Sequence, residues 1–128
     1  MSQQRLVVLY VGDADTEQWL ASCVEPYEGN VYRADALLQV LGMYVSYMPD
    51  VVVLDARMAP DLAREVYFHL RTIDAEPLLI LDDRAEDWEY PEQSRIRVLT
   101  TFGKNDVLVE IGELTGTLFS IGEGAYHE

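Results

Sequence analysis

Apolar residues follow two rhythms along this chain. Unbroken runs occur at Leu6 to Val11, Val51 to Leu54, and from Pro77 to Leu81. Between them, apolar residues recur every three or four positions. An unbroken run of that length is the pattern of a strand buried on both faces, and the wider spacing is that of a helix with one face on a core. Two further runs, "VYRA" at 31–34 and "RIRVLTT" at 95–101, bring the predicted strands to five.

The helical stretches are punctuated by caps and prolines. Trp19, Leu20, Cys23 and Val24 fall on one face, with Asp15 as the expected cap, Gln18 three residues on, and Pro26 at the end. Leu37, Leu38, Leu41, Tyr44, Val45 and Met48 predict a second helix, capped by Asp35 and stopped before Pro49. Leu62, Val66, His69, Leu70 and Ile73 predict a third. "RAEDWEYPEQ", at 84–93, supports at most a short helix, with Trp88 and Tyr90 either exposed as a partner anchor or packed under a short loop. Asn105 or Asp106 is expected to cap a last helix carrying Leu108, Ile111 and Leu114. Residues 1–118 then form one domain and 119–128 a loose tail. Strands alternating with helices imply right-handed crossovers and a mainly parallel sheet covered on both faces.

Charge narrows the function classes. Nine basic residues stand against 23 acidic ones, a net charge of −14. That field repels nucleic-acid phosphates and an anionic membrane surface, so neither is an expected partner. The single cysteine, Cys23, has no internal disulfide partner, which fits a reducing compartment and a cytoplasmic location. The run from Leu6 to Val11 is too short for a signal-peptide core or a membrane span. No glycine-rich phosphate loop and no Ser/His/Asp or Cys/His set is present.

The acidic residues concentrate where an open parallel sheet binds ligands, beyond the carboxyl ends of its strands. The first strand runs into Gly12-Asp13-Ala14-Asp15, the third ends at Asp55, and the fourth runs into Asp82-Asp83. Packed carboxylates repel one another, and a hard divalent cation such as Mg²⁺ removes that cost. The plainer alternative, helix caps and turn formers, suits Asp15 better than Asp55.

"VVLYVGDAD", "PDVVVLDARMAP" and "PLLILDD", in this order of elements, resemble the receiver domain of bacterial two-component response regulators. The resemblance covers about residues 5 to 118. It implies a flavodoxin-like α/β fold, a (βα)5 three-layer sandwich with five parallel strands in the order 2-1-3-4-5. It further implies that Asp55 accepts a phosphoryl group from a sensor histidine kinase or phosphotransfer protein. Mg²⁺ would be held by Asp13, Asp55 and the backbone carbonyl of Arg57. Such a domain is a signalling element with autophosphatase-type turnover at most. Receivers also commonly pair through the face made by their fourth helix, fifth strand and fifth helix.

Several positions depart from the family pattern. Its acidic pair reads Gly12-Asp13 here. Its fourth strand ends in Thr or Ser, and Asp82 stands in that place. Its lysine after the fifth strand falls on Thr101, with Lys104 three residues later. Arg57 and Arg84 are alternative sources of positive charge. These departures open a second expectation, a pseudo-receiver that binds partners without being phosphorylated.

Overall fold

The computed structural model describes residues 6–117. The expected tail at 119–128 lies outside the described residues. Five strands alternate with four α-helices: β1 (Val7–Val11), α1 (Ala14–Val24), β2 (Asn30–Ala34), α2 (Leu37–Tyr47), β3 (Val51–Asp55), α3 (Pro60–Thr72), β4 (Leu78–Leu81), β5 (Ile96–Leu99) and α4 (Lys104–Thr115). The strands form one sheet in the order β2-β1-β3-β4-β5, and every neighbouring pair is parallel.

Successive strand residues point to opposite faces. Val8, Tyr10, Val51, Val53, Leu79 and Leu81 pack on the side of α1 and α4, against Leu20, Cys23, Val107 and Ile111. Leu9, Val11, Val52, Leu54, Leu78 and Ile80 pack on the side of α2 and α3, against Val40, Val66 and Leu70. Both faces of the central strands are therefore dry, which is why their sequences run apolar without alternation. Each fully buried Val, Leu or Ile contributes about 1.5–3 kcal/mol of transfer free energy. No helix among the described residues is long and apolar enough to cross a membrane.

Helix boundaries differ from those expected. α1 starts two residues early, because Asp13 rather than Asp15 is its N-cap. Asp35 does not cap α2; Ala36 stands there with no side-chain cap, and Gln39 Oε1 accepts from the Asp35 N–H at 3.0 Å. The N-cap of α4 is Gly103, and Asp106 lies three residues inside, its Oδ2 accepting from the Gly103 N–H at 3.1 Å. In each case a polar side chain able to cap lies near the start, and spacing alone does not say which residue there has extended backbone.

The fourth-helix place holds one 3-10 turn, Ala85–Asp87. Trp88 beside it is buried, so of the two alternatives it takes the packing under a short loop. Its indole meets the edge of Tyr67 at 5.2 Å between centroids, and Arg64 lies over its face at 4.5 Å. A long acidic loop thus closes on one aromatic anchor. Tyr90 lies at the surface.

Candidate functional site

Register brings the first and third strands together at their carboxyl ends. Tyr10 is paired with Val53, two residues before Asp55, so Tyr10 and Asp55 share the α1/α4 side of the sheet. Asp55 is the last residue of β3 and is fully buried. Asp13 follows β1 as the cap of α1, its Oδ2 accepting from the Thr16 N–H at 3.3 Å. The expected neighbourhood of Asp13 and Asp55 is present, but it is filled from within the chain.

Arg57 fills it first. Its Nε donates to Asp55 Oδ1 and its Nη2 to Oδ2, both at 2.9 Å, while its backbone N–H donates to Oδ1 at 3.1 Å. This is the fork-on-fork geometry in which guanidinium and carboxylate match best. The hydrogen bonds to Asp55 hold the guanidinium charged, with its pKa raised. The face of Arg57 lies 4.2 Å from the centroid of Phe102, so the cation is sandwiched between a carboxylate and an aromatic ring. The short side-chain return from position 57 to 55 locks the loop after β3.

Tyr10 fills the remainder. Its hydroxyl lies 2.5 Å from Asp55 Oδ2 and 3.2 Å from Asp13 Oδ1. A phenol has one hydrogen, so the shorter contact carries the donated bond. Burial, then the bond to Asp55, pushes the Tyr10 phenol far above its ordinary value. Hydrogen bonding from Thr16 holds the Asp13 carboxyl below the usual range.

Gly12 explains why the ring fits. A Cβ at position 12 would lie 2.3 Å from the Tyr10 hydroxyl and 2.5 Å from its Cζ. Position 12 is where the resemblance expects a second acid. An acidic side chain there and the Tyr10 ring exclude each other sterically. Tyr10 escaped the sequence reading, which took it as one more apolar strand residue. The available signal was its place two residues before Gly12, on the same face of the strand.

The switch-like positions also differ from a phosphate-binding arrangement. Asp82 Oδ1 accepts from the Arg84 N–H at 3.1 Å and Oδ2 from Trp88 Nε1 at 2.7 Å, so this carboxylate organises the loop after β4. Thr101 and Lys104 are exposed, and the ion-pair partner of Asp55 is Arg57. Arg84 pairs with Glu86 and Asp87 at the surface. Outside Arg57 opens a shallow pocket of about 230 Å³ lined by Asp15, Thr16, Trp19, Arg57 and Phe102.

The donor set does not fit a divalent metal ion. Both Asp55 oxygens are taken by a guanidinium, Asp13 is turned into a helix cap, and the second acid is a glycine. Among the described residues no group of three or more His, Cys, Asp or Glu side chains is placed to hold a metal ion. Mg²⁺ selects oxygen ligands in near-octahedral array, and the positive charge it would supply is already present as Arg57.

No protein-family model and no curated protein matches the sequence. Solved structures do match in fold. The chemotaxis response regulator CheY4 of Vibrio cholerae superposes with a TM-score of 0.67 at 17% identity, over 87% of this chain and 99% of that one. The BeF3-activated receiver domain of Klebsiella pneumoniae RstA gives 0.64 at 14% identity, over 88% and 97%. The pseudo-receiver domain of the CikA protein gives 0.55 at 15% identity, over 85% and 95%. With its 2-1-3-4-5 parallel sheet, the chain has the flavodoxin-like fold of response-regulator receiver domains.

Proposed function

We propose that this chain is a pseudo-receiver, a protein-interaction module whose state is not set by phosphorylation of Asp55. The bidentate Asp55–Arg57 pair carries this reading. A carboxylate attacking phosphorus needs a free lone pair, an approach path and a cation bridging it to the phosphoryl oxygens. Here the lone pairs face Arg57 and Tyr10, and the side chain is fully buried. The missing hydroxyl at position 82 and the exposed Lys104 point the same way. The reading calls for no turnover and no metal.

Intact-mass measurement after incubation with acetyl phosphate and Mg²⁺ tests it. The mass is expected to stay unchanged, and partner capture is expected to be equal for the wild type and Asp55→Asn. One added phosphoryl mass, lost in Asp55→Asn, would overturn the proposal. It would establish instead the phosphoacceptor reading, with a histidine kinase or phosphotransfer protein as donor and Mg²⁺ as cofactor. The approach of Asp13 and Asp55 to one hydroxyl favours that second reading, which requires Arg57 and Tyr10 to swing away together.

A further inference from the structure

α2 is the one α-helix among the described residues that carries no charged side chain. From Leu37 to Pro49 the sequence reads LLQVLGMYVSYMP, in a chain of net charge −14. Val40 is its buried contact with the core, and Leu37, Leu41, Met43 and Tyr44 pack partly against it. Leu38 is 82% exposed, Val45 73% and Met48 77%. Leu38 and Val45 sit seven residues apart, two turns along one side of the helix. Gly42 lies between them, at the midpoint of α2.

Gly42 has no role in the fold of a single copy. A Cβ built there meets nothing within 4 Å, and its backbone is helical. Glycine is among the weakest helix formers, so an exposed mid-helix glycine is a cost without a return inside the chain. It does return something to a partner, since the absence of a side chain lets a second backbone approach closely.

We propose that this face of α2 docks a second copy of the same chain, the two helices crossing antiparallel at Gly42. The arrangement is self-complementary. Leu38 lies four residues before the crossing and Val45 three after it, so a two-fold axis there sets each Leu38 against Val45 of the partner subunit. Charge selects this face for a second copy. Two bodies of −14 repel wherever acidic surfaces meet, and α1, α3 and α4 all bear acidic residues. On α2 the apolar contact forms with the charges held off to the sides, where salt screens them. An eleven-residue helix is about 16 Å long. One helix face of that length is smaller than the roughly 800 Å² per partner of a standard interface, so a weak, concentration-dependent association is expected. The inference goes beyond the pseudo-receiver reading and stands independently of it.

Sedimentation of the full chain from about 1 to 300 μM, a range suited to weak association, is the test. The mass is expected to rise towards a dimer with concentration, and more strongly at higher salt because self-repulsion is screened. Val45→Asp is expected to weaken association at least tenfold while its melting temperature holds. Gly42→Ala is expected to raise the melting temperature yet weaken association, a combination that a purely local helix effect does not give. A monomer across the whole range overturns the proposal. So does a dimer of unchanged affinity in Val45→Asp, which would move the contact to another face such as that of β5 and α4.

Discussion

Two regions of this molecule treat their surroundings in opposite ways. At the carboxyl end of β3 every group is answered from within: Asp55 by Arg57 and Tyr10, Arg57 by Phe102, and Asp82 by Trp88. On the outward side of α2, Leu38, Val45 and Met48 stay exposed among the described residues. In receiver-like folds the first region is where an external ligand is expected, and here it is closed. The second is where a solvated polar helix face is expected, and here it is apolar. The closed pocket is the basis of the proposed pseudo-receiver reading, and the open face is the basis of the proposed self-association. Taken together, the two regions suit the proposed function, interaction without a phosphoryl switch.

Removing Arg57 attacks the closed region hardest. Arg57→Ala leaves the carboxylate of Asp55 buried without a counter-charge, a loss of about 3–5 kcal/mol for such pairs. The lower end is expected, because the Arg57 side chain is 25% exposed and water can enter behind it. Chemical denaturation measures the loss. If adding Mg²⁺ then restores stability to Arg57→Ala but leaves the wild type unchanged, the guanidinium has been replaced by a metal ion. An undiminished midpoint in Arg57→Ala would show that the pair is not what closes the site.

Tyr10→Phe keeps the ring over Gly12 and removes only the hydroxyl. It is expected to lose about 1.5–3 kcal/mol, the range for a buried hydrogen bond to a charged group. A neutral result would mean that Arg57 alone satisfies Asp55. Gly12→Ala is a steric probe of the same place. It drives a methyl into Tyr10 and is expected to cost about 1–3 kcal/mol, as overpacking does. That cost should shrink in a Tyr10→Ala background, where the ring is gone.

Glu110 on α4 calibrates the contrast, being a carboxylate the fold leaves unanswered. Its Oε1 is buried without a hydrogen-bond partner among the described residues, and burial followed by repulsion from Glu113 raises its pKa. A raised carboxyl pKa means the folded state prefers the protonated form. The penalty is therefore present above the folded-state pKa and fades as pH falls through it. Glu110→Gln is expected to stabilise by under about 1 kcal/mol at pH 7, since part of the side chain meets solvent. The gain should vanish near pH 4, about where an ordinary glutamate is protonated in any case. A gain that persists there would assign the effect to something other than charge.

The smallest stability effect belongs to the open face. Val45→Asp, at a position exposed among the described residues, should change stability by no more than about 0.5 kcal/mol. Its effect is expected in association instead, which separates the two regions by the kind of measurement that detects them.

Much of this was legible in the order of residues. Unbroken runs at 6–11, 51–54 and 77–81, divided by helical spacing, point to a parallel sheet covered on both faces, because each apolar side chain must leave water whatever its neighbours. The placing of Asp13 and Asp55 at adjacent strand ends follows from the strand order that the family resemblance implies. What they meet there does not follow. Tyr10 reads as one apolar letter among six until strand register sets it beside Asp55, and Gly12 reads as a turn until the ring above it is seen. Arg57 can point outward or fold back, and only packing against Phe102 and the burial of Asp55 decide. The α2 stripe shows the same limit. Periodicity marked Leu38, Val45 and Met48 as core, yet Val40 takes that role. A helix so broadly apolar lets the tertiary contacts choose its buried side, and the excess is left to face outward.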